Sequence, residues 1–120
     1  MNYWGKHYIA NVTACKLELA RNAEHIRKFT NELVKAIDMK PYGTPTVIHF
    51  GEGELSGWTT TQLIETSNIM GHFLDHNGDL YFDVFSCKDF EEHIITEMLE
   101  EWFEPEDINA MVLMRDARLA

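Results

Sequence analysis

The chain has 120 residues, of which 45% are hydrophobic and 25% charged, and its formal net charge is −10 at pH 7. This length and composition predict one globular domain over residues 1–120. The negative charge repels phosphate backbones and anionic lipid head groups, so it argues against nucleic acids and membranes as partners and favours a small cationic or zwitterionic ligand. No apolar run reaches the roughly 18 residues of a membrane span, and the first residues lack a signal-peptide pattern, so we expect a cytoplasmic protein.

Hydrophobic spacing predicts strands and one long helix in the first half of the chain. Residues 4–14 are β-prone and indicate a first strand. Apolar residues at three- and four-residue intervals from Asn22 to Met39 predict an amphipathic helix. A short strand is predicted at 46–50, and the segment 58–66 leads from it into a hairpin.

That β-hairpin is predicted from Ser67 to Cys87. The Asn-Gly pair near its middle is the strongest short-range hairpin signal, and a two-residue turn there sets His72 opposite Asp83 and Cys87 opposite Asn68, beside Ser67. Because alternate residues of a strand share a face, His72 and Cys87 are expected on one side of the sheet. The hairpin therefore collects a serine, a histidine and a cysteine on one small element.

A second helix and a last strand complete the predicted fold. Asp89 followed by Glu92 forms a capping-box pattern at the start of a helix that ends before Pro105. A strand follows at about 108–114. This order predicts an α+β fold, a two-layer sandwich with a mainly antiparallel sheet and two helices on one face. The other face is left for a site or a subunit contact.

Cysteine and histidine positions bear on redox state and metal binding. Cys15 and Cys87 are expected to be free thiols in a reducing compartment. The tightest histidine group, His72 with Asp75 and His76, lies at the hairpin end without the helical spacing of a zinc site. The sequence therefore predicts no metal site.

The spacing of three reactive residues resembles that of a known family. His72 follows Ser67 by five positions and Cys87 follows after fifteen more, and residues 83–87 read Asp-Val-Phe-Ser-Cys, close to a family string Asp-Val-Phe-Thr-Cys. Residues 5–9, Gly-Lys-His-Tyr-Ile, are similar to the family's Gly-Arg-His-Leu start. The chain thus resembles the short prokaryotic S-adenosylmethionine decarboxylases, pyruvoyl-dependent enzymes of polyamine synthesis.

The resemblance implies that the chain cuts itself and makes its own cofactor. The Ser67 hydroxyl would attack the carbonyl of Thr66, and β-elimination would leave a pyruvoyl group at the head of residues 68–120. His72 would transfer the proton in this processing. In turnover the pyruvoyl ketone would form a Schiff base with the substrate amine and accept electrons as carbon dioxide leaves. Cys87 would reprotonate the substrate carbon.

The same resemblance names further residues and leaves the substrate open. A hydroxyl that assists processing falls on Thr59 by count from the cofactor serine and on Ser56 by its Ser-Gly pair. Phe50 matches an aromatic residue that stacks on adenine. Where the family has glutamate before the serine this chain has Thr66, and residues 73–76 replace its Thr-Trp-Pro-Glu string. S-adenosylmethionine, ornithine and arginine therefore all stay candidate substrates.

Two classes of function remain. The first is a processed decarboxylase, for which the resemblance implies a homodimer. The second is a non-catalytic relative that keeps the fold, stays uncut and binds a ligand or pairs with an active homologue. The mass of the purified chain distinguishes the two.

Overall fold

Residues 2–118, which the computed structural model describes, form an antiparallel six-stranded sheet with three helices packed on one face. In chain order the elements are β1 (Gly5–Thr13), α1 (Leu17–Ala20), α2 (Ala23–Ala36), β2 (Pro41–Phe50), β3 (Gly57–Ile64), β4 (Ser67–Leu74), β5 (Leu80–Ser86), α3 (Glu92–Phe103) and β6 (Asp107–Arg115). The strand order across the sheet is β2-β3-β4-β5-β1-β6. The predicted α+β two-layer sandwich is confirmed, with α1 as an additional short helix. Met1, Leu119 and Ala120, the ends of the predicted domain 1–120, lie outside the described residues.

Alternation along the strands decides which face of the sheet is buried. Every second residue packs against the helices, as a period of two requires. These strand residues are Tyr8, Ala10, Val12, Ile69, Phe73, Leu80, Phe82 and Val84, all at most 3% exposed. Gly71 belongs to the same face, and a Cβ there would lie 2.8 Å from the Phe82 ring. The core is therefore packed closely at the centre of β4 and β5.

The long helix α2 confirms the predicted amphipathic pattern, although it ends at Ala36 rather than Met39. It begins after Asn22, whose side chain accepts a hydrogen bond from the His25 amide at 3.0 Å and so caps the helix. Its buried side chains are Ile26, Phe29, Thr30, Leu33 and Val34. No helix within residues 2–118 is long and apolar enough to cross a membrane.

The predicted capping box at the start of α3 is wrong. The helix begins only at Glu92, after an N-cap residue whose side chain makes no cap. Both acids of the pattern instead bind the buried Lys6 ammonium, Asp89 at 2.7 Å and Glu92 at 2.9 Å. Burial lowers the pKa of Lys6, but the hydrogen bonds with the two carboxylates outweigh it and raise that pKa overall. The ion pair takes the place of the cap because it neutralises a cation that the core surrounds.

The β4–β5 hairpin is confirmed, but its predicted turn and register are wrong. Pairing is shifted by two residues, so that Ser67 lies opposite Ser86 and His72 opposite Tyr81. The turn is wider than two residues because it is bound to the end of β1: the Gly78 carbonyl accepts a hydrogen bond from the Cys15 amide at 2.9 Å. A shift by two keeps every side chain on its predicted face.

The face of the sheet away from the helices remains uncovered in one chain. Strand pairing and alternation place seven large, exposed apolar side chains on it, namely Tyr42, Ile48, Phe50, Leu63, Tyr81, Met111 and Leu113. We call this surface the free face. A contiguous apolar surface of this kind is typical of a protein interface or a ligand site.

Candidate active site

The Thr66–Ser67 peptide bond lies in the tight turn between β3 and β4. Strand pairing joins Ile64 to Ser67, so that Glu65 and Thr66 form a two-residue turn. The Glu65 amide donates to the Lys40 carbonyl at 2.9 Å, which binds the turn to the start of β2. The bond that the sequence nominates for cleavage is thus in a short, anchored turn at the rim of the sheet.

The carbonyl of Thr66 is held against the residue that follows β5. Its oxygen accepts a hydrogen bond from the Cys87 amide at 3.0 Å. A donor on a carbonyl oxygen draws charge from the carbon and favours attack there. The neighbouring Ser67 hydroxyl is partly exposed, and its oxygen accepts a hydrogen bond from the Asn68 side chain at 3.4 Å. The structure therefore brings the backbone of Cys87 to Thr66, the residue before Ser67, rather than opposite Asn68 as the predicted register has it.

The two cysteines differ in their surroundings. Both are free thiols. Burial raises the pKa of the Cys15 thiol to about 12, which keeps it protonated and unreactive at neutral pH. Cys87 is only half-buried and lies at the turn. Cys87 is therefore the cysteine available for chemistry.

A buried hydroxyl that the sequence reasoning missed lies beside the turn. Ser86 is fully buried, and its Oγ is 2.7 Å from the Thr66 Oγ1. The Lys88 amide also donates to this oxygen, at 3.0 Å. Its position next to Cys87 in the family-like string was the feature that could have identified Ser86. A buried serine in a strand has no sequence pattern that predicts its hydrogen bonds.

His72 lies in a second group, away from the turn. It faces Thr59 across β3 and β4, and the Thr59 Oγ1 is 3.1 Å from the His72 Nδ1. Both side chains are on the free face and accessible to solvent. Of the two hydroxyls that the sequence offers as the assistant in processing, Thr59 is the one that contacts His72.

Within a single chain, the His72 side chain is far from Ser67. Both residues belong to β4, which is paired continuously on both sides from Ser67 to Phe73. Five residues along a strand span roughly 16 Å, and an odd separation places side chains on opposite faces. A bend near Gly71 could close this distance, but Gly71 is paired in register with both neighbouring strands.

Ser56 and Phe50 lie at the opposite end of the sheet from Ser67. The Asp75 carboxylate binds both the His49 Nε2, at 2.6 Å, and the Ser56 hydroxyl, at 3.2 Å. Ser56 is also 3.4 Å from that same Nε2. A nucleophilic triad needs the acid and the serine on different ring nitrogens, so this cluster is not one. Phe50 is 57% exposed on the free face.

A cavity lies at Phe85 of β5, near the end of β6. It measures about 710 Å³, and its lining includes Trp4, Phe85, Arg115 and Arg118. Phe85 pairs with Asn68, the residue after Ser67. The Arg115 guanidinium lies 4.9 Å over the Phe85 ring. The cavity thus offers aromatic surfaces and two guanidinium groups, with the Asp116 carboxylate also in its lining. Within residues 2–118 no three His, Cys, Asp or Glu side chains are grouped to hold a metal ion.

Comparison with known proteins agrees with this architecture. The family model described as S-adenosylmethionine decarboxylase matches residues 6–116. The crystal structure of the adenosylmethionine decarboxylase from Aquifex aeolicus VF5 is similar with a TM-score of 0.82 and 20% sequence identity, covering 97% of this chain and 93% of that chain. This similarity shows a shared fold. No curated protein matches the sequence.

Proposed function

Because the chain belongs to the S-adenosylmethionine decarboxylase family, we propose that it is a self-processing, pyruvoyl-dependent decarboxylase acting on S-adenosylmethionine. The observation that carries the proposal is the hydrogen bond from the Cys87 amide to the carbonyl of Thr66. This bond supports the proposal because it holds the backbone of Cys87 against the carbonyl that Ser67, the next residue after Thr66, would attack. Self-cleavage needs that arrangement before any base acts.

The processing chemistry begins with the Ser67 hydroxyl. Its Oγ attacks the carbonyl carbon of Thr66, the carbon–nitrogen bond breaks, and the freed nitrogen takes the hydroxyl proton, which leaves an ester. A base then removes the α-proton of Ser67, and the Thr66 carboxylate departs with the ester oxygen. Hydrolysis of the resulting dehydroalanine releases ammonia and leaves a pyruvoyl group on the fragment that begins at position 67.

The base in this proposal is His72 of a second copy of the chain. Within one chain His72 and Ser67 are on opposite faces of a regular strand. The His72 side chain lies on the free face, where it meets another molecule if two sheets pack face to face. In a homodimer the partner's His72 would act from the free face on the α-proton of Ser67, because the Ser67 side chain itself lies on the same face as Ser86.

The size and chemistry of the free face support that homodimer. Six strands spaced about 4.8 Å apart and about eight residues long present an area on the order of 700 Å². A stable interface buries roughly 800 Å² per partner. In the dimer the exposed apolar side chains of this face, Phe50 among them, would be buried against the partner and removed from water.

In turnover the chain's own residues orient the substrate and move the proton. A pyruvoyl ketone at position 67 supplies an electron sink for the loss of carbon dioxide. The residues that would hold it are Ser67, from which it would form, and Cys87, a half-buried free cysteine whose amide binds the Thr66 carbonyl. We assign Cys87 as the acid that reprotonates the substrate carbon. A free thiol at this position fits a reducing compartment, so we propose a cytoplasmic location.

The substrate class is proposed from the residues that line the cavity. The aromatic walls at Trp4 and Phe85 suit a nucleoside, and the guanidinium of Arg115 suits a carboxylate. A net charge of −10 attracts cationic substrates in general. Carbon dioxide release should therefore be measured side by side with S-adenosylmethionine, ornithine and arginine. Release from an amino acid alone would reject S-adenosylmethionine and keep the mechanism, whereas release from none by a fully cut protein would reject all three.

Denaturing mass spectrometry of the purified chain tests the proposal directly. We expect fragments 1–66 and 67–120, the second carrying a ketone that reacts with hydroxylamine. A single intact chain after long incubation would support the alternative, a non-catalytic homologue that binds a ligand or a partner. Fragments without a reactive ketone would show cleavage without cofactor formation.

A further inference from the structure

Ser86 is a buried polar side chain whose hydroxyl takes part in several hydrogen bonds. It is fully buried at the end of β5, between the sheet and the helices. Its Oγ accepts from the Lys88 amide at 3.0 Å and shares a 2.7 Å hydrogen bond with the Thr66 hydroxyl. The Met39 sulfur lies 3.7 Å away. A hydroxyl in such a place is costly unless it is bonded, and here it joins three separate segments.

These hydrogen bonds and the one from the Cys87 amide form a network between Thr66 and residues 86–88. The Thr66 hydroxyl is bound to Ser86, and the Thr66 carbonyl is bound to the next residue along, Cys87. The backbone amide of Lys88 donates a hydrogen bond to the Ser86 hydroxyl. The Lys88 side chain is fixed in turn by the Asp38 carboxylate at 3.1 Å. We call the Thr66, Ser86, Cys87 and Lys88 group the turn clamp.

We propose that Ser86 is a positioning residue for self-cleavage, which holds the Thr66 carbonyl against the Cys87 amide. This inference rests on the proposed function, because it concerns the same peptide bond. Ser86 does not touch the reacting atoms itself; it acts through the side chain of Thr66. Without its hydroxyl, the Thr66 side chain loses its closest partner, and the bond from the Cys87 amide that polarises the carbonyl is held less firmly.

The first test uses uncut protein, so that it does not depend on cleavage. In a Ser67→Ala background, exchange of the Cys87 and Lys88 amides with deuterium is followed by nuclear magnetic resonance. We expect Ser86→Ala to speed exchange at both amides by about tenfold, the loss of one hydrogen bond. Ser86→Thr, which keeps a hydroxyl, should restore slow exchange. The Cys15 amide, bonded to Gly78 at the far end of the sheet, serves as the internal control.

A second variant keeps this test decisive if Ser86→Ala disturbs the fold. Thr66→Val has the same shape as threonine and removes the other half of the hydroxyl pair at a partly exposed position. It should speed exchange at Cys87 and leave Cys15 unchanged. Unchanged exchange at Cys87 in Thr66→Val would overturn the proposal.

The last test measures cleavage in chains that retain Ser67. Ser86→Ala should lengthen the half-time of cleavage by about tenfold, and Ser86→Thr should recover most of the rate. Cleavage of Ser86→Ala at the wild-type rate would overturn the positioning role. If the wild-type chain never cleaves, the proposed function fails, and faster exchange at Cys87 in Ser86→Ala would still support the clamp as the device that holds this turn.

Discussion

The turn clamp joins the β3–β4 turn to the end of β5, and the His72–Thr59 pair joins β3 to β4, but the two groups are built in opposite ways. In the clamp, Ser86 is fully buried and each hydroxyl has a close partner. The His72–Thr59 pair is solvent-accessible on the free face, and one 3.1 Å contact joins its two side chains. The clamp is complete within one chain, whereas the histidine pair contacts nothing that it is expected to act on.

This difference separates the parts of the proposed reaction. The nucleophile, its carbonyl and the acid are fixed locally by strand pairing. The proposed base, His72, lies on the free face, which is buried only when a second molecule covers it. A reaction divided in this way would start after assembly, so cleavage would report dimer formation.

The largest effect is expected from Ser67→Ala, which should abolish cleavage completely because it removes the attacking oxygen. Ser56→Ala is the matched control, since it removes the same atoms at the other end of the sheet, where Asp75 binds them. Intact mass after incubation is the measurement. Cleavage that persists in Ser67→Ala would place the processed bond elsewhere.

His72→Ala should slow cleavage by about 10²–10⁴-fold, the usual contribution of a general base. Mixing it with Ser67→Ala during expression tests whether the base comes from the partner. In mixed dimers the His72→Ala chain should be cut, because the Ser67→Ala chain presents an intact His72. Each variant alone is the control. A mixture that stays as uncut as the separate variants would show that His72 acts within its own chain or not at all.

Cys87→Ala should separate cleavage from turnover. The backbone amide that polarises the Thr66 carbonyl is still present in this variant, so fragments 1–66 and 67–120 should form. Carbon dioxide release from the cut protein should fall by about 10²–10⁴-fold, because the acid is gone. Serine at this position is an informative second variant with a much weaker acid. Full activity of Cys87→Ala would show that another group reprotonates the substrate.

The smallest effect concerns stability and its dependence on pH. Lys6→Met should lower the free energy of unfolding at pH 7 by about 2 kcal/mol, through lost hydrogen bonds to a buried cation. The control Lys35→Met removes only an exposed pair with Glu32 and should cost under about 0.5 kcal/mol. Urea unfolding in the uncut Ser67→Ala background measures both.

The pH range follows from the direction of each pKa shift at this ion pair. Hydrogen bonds from Lys6 lower the pKa of Asp89 and of Glu92. Their contribution is complete above the ordinary carboxyl pKa of about 4 and is lost as the pH falls through the lowered values. Because the pKa of Lys6 is raised, the ion pair continues to stabilise the fold at high pH. This stabilisation is lost only as the pH rises through the raised pKa of Lys6. The difference between wild type and Lys6→Met should therefore shrink at pH 3, and an equal difference at pH 3 and 7 would contradict this account.

Local patterns predicted the fold class and the faces of the strands. Apolar spacing identified α2, and alternation in β5 identified Phe82 and Val84 as buried, because burial needs only a period that matches the element. The spacing of Ser67 and Cys87 predicted their proximity. The Cys87 backbone stays beside Ser67 despite the error in register, since a shift of two residues moves its partner from Asn68 to Thr66, and both are neighbours of Ser67.

Tertiary contacts decided what local patterns could not. The Asn-Gly signal at 77–78 favoured a tight turn, but the hydrogen bond from Cys15 to Gly78 selects a wider one. The acids at 89 and 92 have the spacing of a capping box, yet the buried charge of Lys6, more than eighty residues earlier, binds both. Each of these outcomes depends on a group distant in sequence, which no local window contains.

The sequence by itself determined the family resemblance, the layer architecture and the residues that carry reactive groups, because these depend on residue type and short-range spacing. Only the tertiary structure decided that Thr59 rather than Ser56 contacts His72, that Ser86 binds the turn, and that one regular strand keeps His72 away from Ser67. The physical reason is that hydrogen bonds act over about 3 Å, so they depend on how strands pair across the sheet and not on distance along the chain.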